Sequence, residues 1–267
     1  MNAPIFNFGI SLLLLALLSP RALTQNKVAP DNARDAFIYT RVKVSAGAGA
    51  GPARANRHRA RRQYKAAVIG VGYTVYQRDT AGVPVRVSPA QEFRRGDAVR
   101  LIVESNIDGY LYIFHTENDG PPEMIFPDAR LDGGRNGIAA HAPYEAPKRH
   151  WFIFNERAAT ERLYVVVAKA PLPGVPVGDG LLTYCAADKR ACPWRPADES
   201  WSRIAGALTD AREDHNGAFG QSLTEVERKA IERGLGLGLD DPAPSVIRMG
   251  KSPQARQLVT LIALTHK

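Results

Sequence analysis

The sequence predicts a mainly β fold, an antiparallel β-sandwich or open barrel with a small helical extension at its C-terminal end. Three observations carry this. The first is the stretch Asp108 to Asp128, in which the apolar runs Tyr110–Phe114 and Met124–Phe126 flank a turn rich in Asn, Asp, Gly and Pro; that is strand, loop and strand. The second is Ala98–Glu104, where Val99, Leu101 and Val103 alternate with Arg100 and Glu104, the pattern of a strand with one wet face. The third is the succession of about eight such short runs with turn signals between them, which is how sandwiches and barrels read.

Taken in order, Ala67–Tyr76 is β-branched and aromatic, and Val83–Ser88 follows it after an Asp79/Gly82 turn. Gly96-Asp97 introduces the alternating strand, and Asn106–Gly109 turns the chain into Tyr110–His115. That run is apolar on both faces and reads as a central strand. Met124–Phe126, Ile138–Tyr144, Trp151–Phe154 and Leu163–Ala168 complete the set. Residues 66–172 are therefore expected to form an immunoglobulin-like sandwich domain, and about a hundred residues suffice for one core.

Flanking segments differ in character. Ala36–Val44 reads as a short strand, and Ser45–Pro52 alternates Ala and Gly, so residues 25–65 read as an N-terminal segment and flexible linker. After Pro173 helical spacing appears. Trp201, Ile204, Ala205 and Leu208 share one face of a helix expected within Asp198–Asp214. Ser222 and Glu225 fit a capping box, Gly234 is placed to stop that helix, and Leu223, Val226, Ala230 and Ile231 form its expected buried face. Ser245–Met249 and Leu258–Leu264 read as a final strand pair. Residues 173–267 are thus an extension packed on the sandwich.

Compartment follows from the first residues. Of the fourteen from Ile5 to Leu18, eleven are apolar. A membrane-spanning helix takes roughly twenty, whereas this run has the length of a signal-peptide core. Ala22 and Thr24 suit a peptidase, so residues 1–24 are expected to be a signal peptide cleaved after Thr24, although Lys and Arg are missing before the apolar run. The mature chain is then periplasmic or secreted, with no transmembrane segment. Cys185 and Cys192 are the only cysteines, and in an oxidising space a disulfide between them is the default. Half of a zinc site is the alternative; it would need a second Cys pair or nearby His, which the sequence does not offer.

The formal charge is +8, and its location matters more than its size. Arg54, Arg57, Arg59, Arg61, Arg62 and Lys65 follow one another with no acid between. With these six set aside, 29 basic residues face 27 acidic ones. The run would attract a polyanion. No aromatic interleaves the Arg residues and Tyr64 stands at the end, so base stacking is not indicated and nucleic acid is not the expected partner. A solvated, self-extended linker explains the same run.

Phe93-Arg-Arg-Gly-Asp-Ala-Val-Arg-Leu101, Asp108-Gly-Tyr-Leu-Tyr-Ile-Phe114 and Met124-Ile-Phe-Pro-Asp128 together resemble a bacterial domain family, domain of unknown function 4384, over about residues 70–170. The leader, the Arg run and the C-terminal helices lie outside the resemblance. It implies an accessory or sensing module, since domains of this family occur alone in exported proteins or joined to kinase-like and caspase-like catalytic domains. It carries over no catalytic residue.

Searching for chemistry gives candidates with local explanations beside them. His115, Glu117 and Asp119 follow a central strand and form the alternative site for a hydrolase or metal-dependent enzyme, but turn formation accounts for Asn118, Asp119 and Gly120. Asp128–Asn136 has the oxygens of a calcium loop, yet Arg130 takes a ligand position and no Glu closes it. His141, Glu145 and His150 could converge across a hairpin. Tyr110, Tyr112, Phe114, Trp151 and Phe154 suit a core or a ligand groove. Nucleophile-elbow, zinc-protease, dinucleotide and P-loop motifs are missing. The expectation is an exported, non-enzymatic envelope protein that binds, scaffolds or senses, with no metal or cofactor, its partner an envelope protein or a polyanion.

Overall fold

The computed structural model describes Arg34, Phe37, Ile38 and residues 68–187 and 192–267. The signal-peptide and Arg-run expectations, including Arg54, Arg57, Arg59, Arg61, Arg62 and Lys65, lie outside these residues.

Two open sheets stack face to face. The first contains β1 (Gly70–Arg78), β2 (Pro84–Val87), β4 (Ala98–Ser105), β8 (Tyr144–Ala146), β9 (Phe152–Ile153), β11 (Arg212–His215) and β12 (Val246–Met249). Its order is β11-β12-β1-β4-β8, with β2 also on β1 and β9 also on β4. The second holds β3 (Glu92–Phe93), β5 (Gly109–Glu117), β6 (Glu123–Phe126), β7 (Gly137–Ile138), β10 (Ala159–Ala168) and β13 (Gln257–His266). Its order is β3-β13-β10-β5-β6, with β7 on β5. Only β13 and β3 run parallel. The fold is mainly β, as the sequence predicts, and the sheets do not close into a barrel.

Period-two patterning decides what lies between the sheets. Val71, Tyr73 and Val75 of β1 and Val99, Leu101 and Val103 of β4 meet Leu111 and Ile113 of β5 and Leu163, Val165 and Val167 of β10 in one core. Each such side chain stabilises the fold by about 1.5–3 kcal/mol when fully buried. The other face of the second sheet is equally apolar. Tyr112, Phe114 and Val166 pack there against Leu181 of α1 (Asp179–Ala187), Ile204 of α2 (Asp198–Ala205) and Trp194. This is why Tyr110–His115 reads as apolar on both faces.

The outer face of the first sheet is covered by charge instead. Arg34 donates to Gly238 O, Pro242 O and Glu104 Oε1, at 2.6, 2.8 and 3.3 Å. Arg86 on β2 pairs with Glu227 of α3 (Glu225–Arg233) at 2.5 Å, and Tyr76 Oη donates to the same carboxylate at 2.9 Å. Burial, only partly offset by the Arg86 charge, raises the Tyr76 pKa well above its ordinary value.

Five local expectations are corrected. Phe37 and Ile38 are helical, not the start of a strand; Phe37 is buried against Ile247 and Met249. The run Ile138–Tyr144 is two strands, because β7 pairs with β5 and β8 with β4. The chain changes sheet between them at His141, whose φ is 62° and whose N–H bonds Ser105 O at 2.7 Å. The helix begun at Asp198 stops at Ala205, and Arg212–His215 pairs with β12. The capping box is Thr224/Glu227, two residues beyond Ser222/Glu225, while Gly234 does cap the helix in the left-handed conformation. Glu227 turns inward to Arg86, which leaves Val226 47% exposed. Last, β12 and β13 do not pair with each other; β12 joins the first sheet and β13 lies along all of β10 in the second.

Candidate functional site

At one end of the second sheet the inward-facing pattern changes from apolar to ionic. Along β5, Leu111 and Ile113 are followed by His115 and Glu117; along β10, Glu161 precedes Leu163 and Val165; along β13, His266 follows Ile262 and Leu264. Register sets Leu163 opposite His115 and Glu161 opposite Glu117, while Ala159 faces His266 across β13. The polar residues of three strands therefore meet at one place.

Glu161 is the hub. One oxygen lies 2.5 Å from His115 Nε2 and the other 3.0 Å from His266 Nε2. The second ring nitrogen of His115, Nδ1, is 3.5 Å from Glu123 Oε1 on β6. His266 is fully buried, and its ring stacks on Phe154 with centroids 4.7 Å apart. Burial opposes charge on His115, but hydrogen bonds to Glu123 and Glu161 outweigh it and push its pKa up to about 9. The bond from His115 holds the Glu123 carboxyl below its usual range. Burial works against the Glu161 carboxylate, yet His115 and His266 hold it low as well.

Beside this cluster the seam between the sheets is open as a cleft of about 230 Å³. Val99, Ile125, Phe152, Phe154, Leu163 and Leu264 form its apolar wall, and His115, Glu117, Glu123 and Glu161 its polar end. Ile153 stands at the mouth, 68% exposed. Arg157 lies 3.5 Å from Glu117 and Arg195 lies 3.7 Å from Glu123.

Of the sequence candidates, His115 and Glu117 line this cleft together. Asp119 does not join them: it is 95% exposed and pairs with Arg162 at 2.6 Å. His141, Glu145 and His150 are not brought together either. His141 Nδ1 lies 3.5 Å from Glu104, Glu145 pairs with Arg100, and His150 is exposed. Arg130, the residue that spoils the calcium-loop pattern, turns back onto Asp128 at 2.5 Å. Among the described residues no group of three His, Cys, Asp or Glu side chains is placed to hold a metal. Sequence reasoning missed Glu123, Glu161 and His266. For the last two a signal exists: each is a charged or polar residue at an inward position of a strand whose other inward positions are mostly apolar.

Chemically, an imidazole with Glu161 at hydrogen-bond distance of Nε2, Glu123 at ion-pair distance of Nδ1 and a pKa raised to about 9 is a cation at pH 7. It then has no lone pair with which to accept a proton.

Cys185 and Cys192 form a disulfide with Cα atoms 5.5 Å apart, and no described helix is long and apolar enough to cross a membrane. Both facts are compatible with an extracytoplasmic protein.

No curated protein and no solved structure matches the chain. Residues 92–171, which run from β3 through β10 and contribute His115, Glu123 and Glu161, match a family model described as a domain of unknown function, DUF4384.

Proposed function

We propose that this chain is an exported, non-enzymatic binding module of the bacterial envelope, and that the seam cleft is where it takes its ligand. One observation carries the reading: the cleft joins an apolar wall to a polar end whose central histidine is held as a cation between two carboxylates. A mostly apolar concavity with a few convergent polar groups is the usual form of a ligand site. The engaged imidazole favours recognition over acid–base work. A short apolar group with one hydrogen-bonding end fits, either a small molecule or a side chain of a partner protein. The leader-like N-terminus and the disulfide support a periplasmic or secreted location.

The test is a fragment panel of amines, carboxylates, sugars and short peptides titrated into isotope-labelled protein and followed by amide chemical shifts. Shifts gathered on β5, β6, β9 and β10 and abolished by Phe152→Ala support the reading. Perturbations scattered over the surface, or unaffected by that substitution, would refute it. Fractionation of the native host tests the compartment, and recovery in the cytosol with the leader intact is the adverse result.

A further inference from the structure

Four cations line one groove. The groove, about 430 Å³, lies between the β8–β9 turn, the loop before β7 and the C-terminal end of α3. Arg135, Lys148, Arg149 and Arg233 line it, and all four are exposed. None of them lies within ion-pair distance of an acid among the described residues, although the Lys148 charge acts on the Asp132 carboxyl from further off. Most of the acids that share the groove are already engaged. Asp132 accepts the backbone N–H groups of Asp128 and Gly134, each at 3.1 Å. Glu145 is bound by the Arg100 guanidinium and accepts Arg149 N–H at 2.7 Å. Glu232 alone has no such bond.

The turn that presents Lys148 and Arg149 is held by a chain of contacts. Arg149 has a φ of 60°, a left-handed conformation that side-chain-bearing residues adopt at a cost and that gathers at functional positions. Its N–H is anchored on Glu145, Glu145 is anchored by Arg100, and the Arg100 guanidinium packs 3.9 Å from the Trp151 ring centre, with Arg78 4.6 Å from the same ring. Hydrogen bonding of His150 N–H to Pro147 O at 3.2 Å closes the turn. A second concavity of about 680 Å³ shares Glu145, Arg149, Ile231 and Glu232 with the first, so the two make one elongated trough. It has no lining residue in common with the seam cleft.

We propose that this trough binds an acidic polysaccharide, a linear chain bearing carboxylate or sulfate groups. The exposed cations Arg135, Lys148, Arg149 and Arg233 along one part of the trough match repeated anions on a flexible chain. The aromatic residues lining the first concavity are Phe126, which is buried, and Tyr144, which is partly buried and packed against the core; neither offers the open ring face on which single-stranded nucleic acid binding relies. A concave trough also does not meet a flat lipid surface, which recruits convex amphipathic faces.

Calorimetric titration of the full chain with a heparin-derived hexasaccharide and with a galacturonate hexamer tests this and separates sulfated from carboxylated ligands. Three proteins are compared: the wild type, Lys148→Glu/Arg233→Glu in the trough, and Arg94→Glu/Arg256→Glu on exposed positions elsewhere. Both variants change net charge equally and leave the Arg run between Arg54 and Lys65 intact. The trough variant is expected to lose about tenfold or more in affinity for at least one of the two probes, and the control less than about threefold, since screened distant charges count for little. Equal losses in both variants, no loss in either, or no binding of either probe by the wild type overturns the proposal. Arg149→Gly gives an independent arm. Glycine takes the left-handed conformation freely, so melting temperature is held or raised while affinity falls about threefold; unchanged affinity in this variant counts against the site.

Discussion

Replacing Glu161 by Gln removes the charge that His115 and His266 share but keeps a hydrogen-bonding side chain of the same shape. The pKa of His115 is about 9 in the folded protein against 6.5 for the free side chain. At about 1.4 kcal/mol per factor of ten, that span is worth roughly 3.4 kcal/mol. His115 and Glu161 are 24% and 16% exposed, so solvent screening reduces this to about 2 kcal/mol, of which Glu123 carries part. Because the folded pKa lies above the unfolded one, the stabilisation is complete below about pH 6.5 and is lost as the pH rises through about 9. The same pair holds the Glu161 carboxyl low, so on the acid side the stabilisation is lost only as the pH falls through the carboxylate range. Urea unfolding near pH 6 should therefore show Glu161→Gln less stable than wild type by about 1–2 kcal/mol, shrinking to under about 0.7 kcal/mol near pH 9.5. An equal difference at both pH values, or no difference near pH 6, would refute the assignment of Glu161 as the partner that keeps His115 charged.

Arg34→Met should cost about 3–5 kcal/mol, because it strands the Glu104 carboxylate in the interior; burial already raises the pKa of Glu104 despite His141 and Arg34. Glu104→Gln in the Arg34→Met background should recover part of that loss, and a double-mutant cycle by urea unfolding measures the coupling. Gly109→Ala would place a Cβ 2.4 Å from Ala168 O on the paired strand, so it should cost about 1–3 kcal/mol, whereas Gly137→Ala, where a Cβ meets open space, should cost less than about 1 kcal/mol in the same melts. Cys185→Ser/Cys192→Ser opens a loop of sequence separation 7 and should lower stability by about 2.5 kcal/mol on the chain-entropy account, with a thiol titration finding no free thiol in the oxidised wild type.

The sandwich was legible because its signal is local. Strand period, Gly and Asp turn residues and the doubly apolar Tyr110–Phe114 run all act over a few residues, and their sum admits few architectures. Helix boundaries were less legible, since partners overrode spacing. Glu227 faces inward only because Arg86 and Tyr76 wait there, and no periodicity of apolar residues announces an ionic contact. The helix begun at Asp198 stops early because Arg212–His215 is claimed by the edge of β12.

The candidate site divides in the same way. His115 and Glu117 can be picked out from their place after a central strand, and their sharing of one inward face follows from strand period. That Glu161 and His266, 46 and 151 residues further along, close on His115 depends on the pairing of β5 with β10 and β10 with β13. Sequence by itself determined the class of fold, the apolar interior and the concentration of charge in one run, because these follow from the order and polarity of neighbours. Only the tertiary structure decided which polar residues meet, which carboxylate serves two histidines and which cations line one trough, because strand register and sheet-to-sheet stacking bring together groups that the chain keeps far apart.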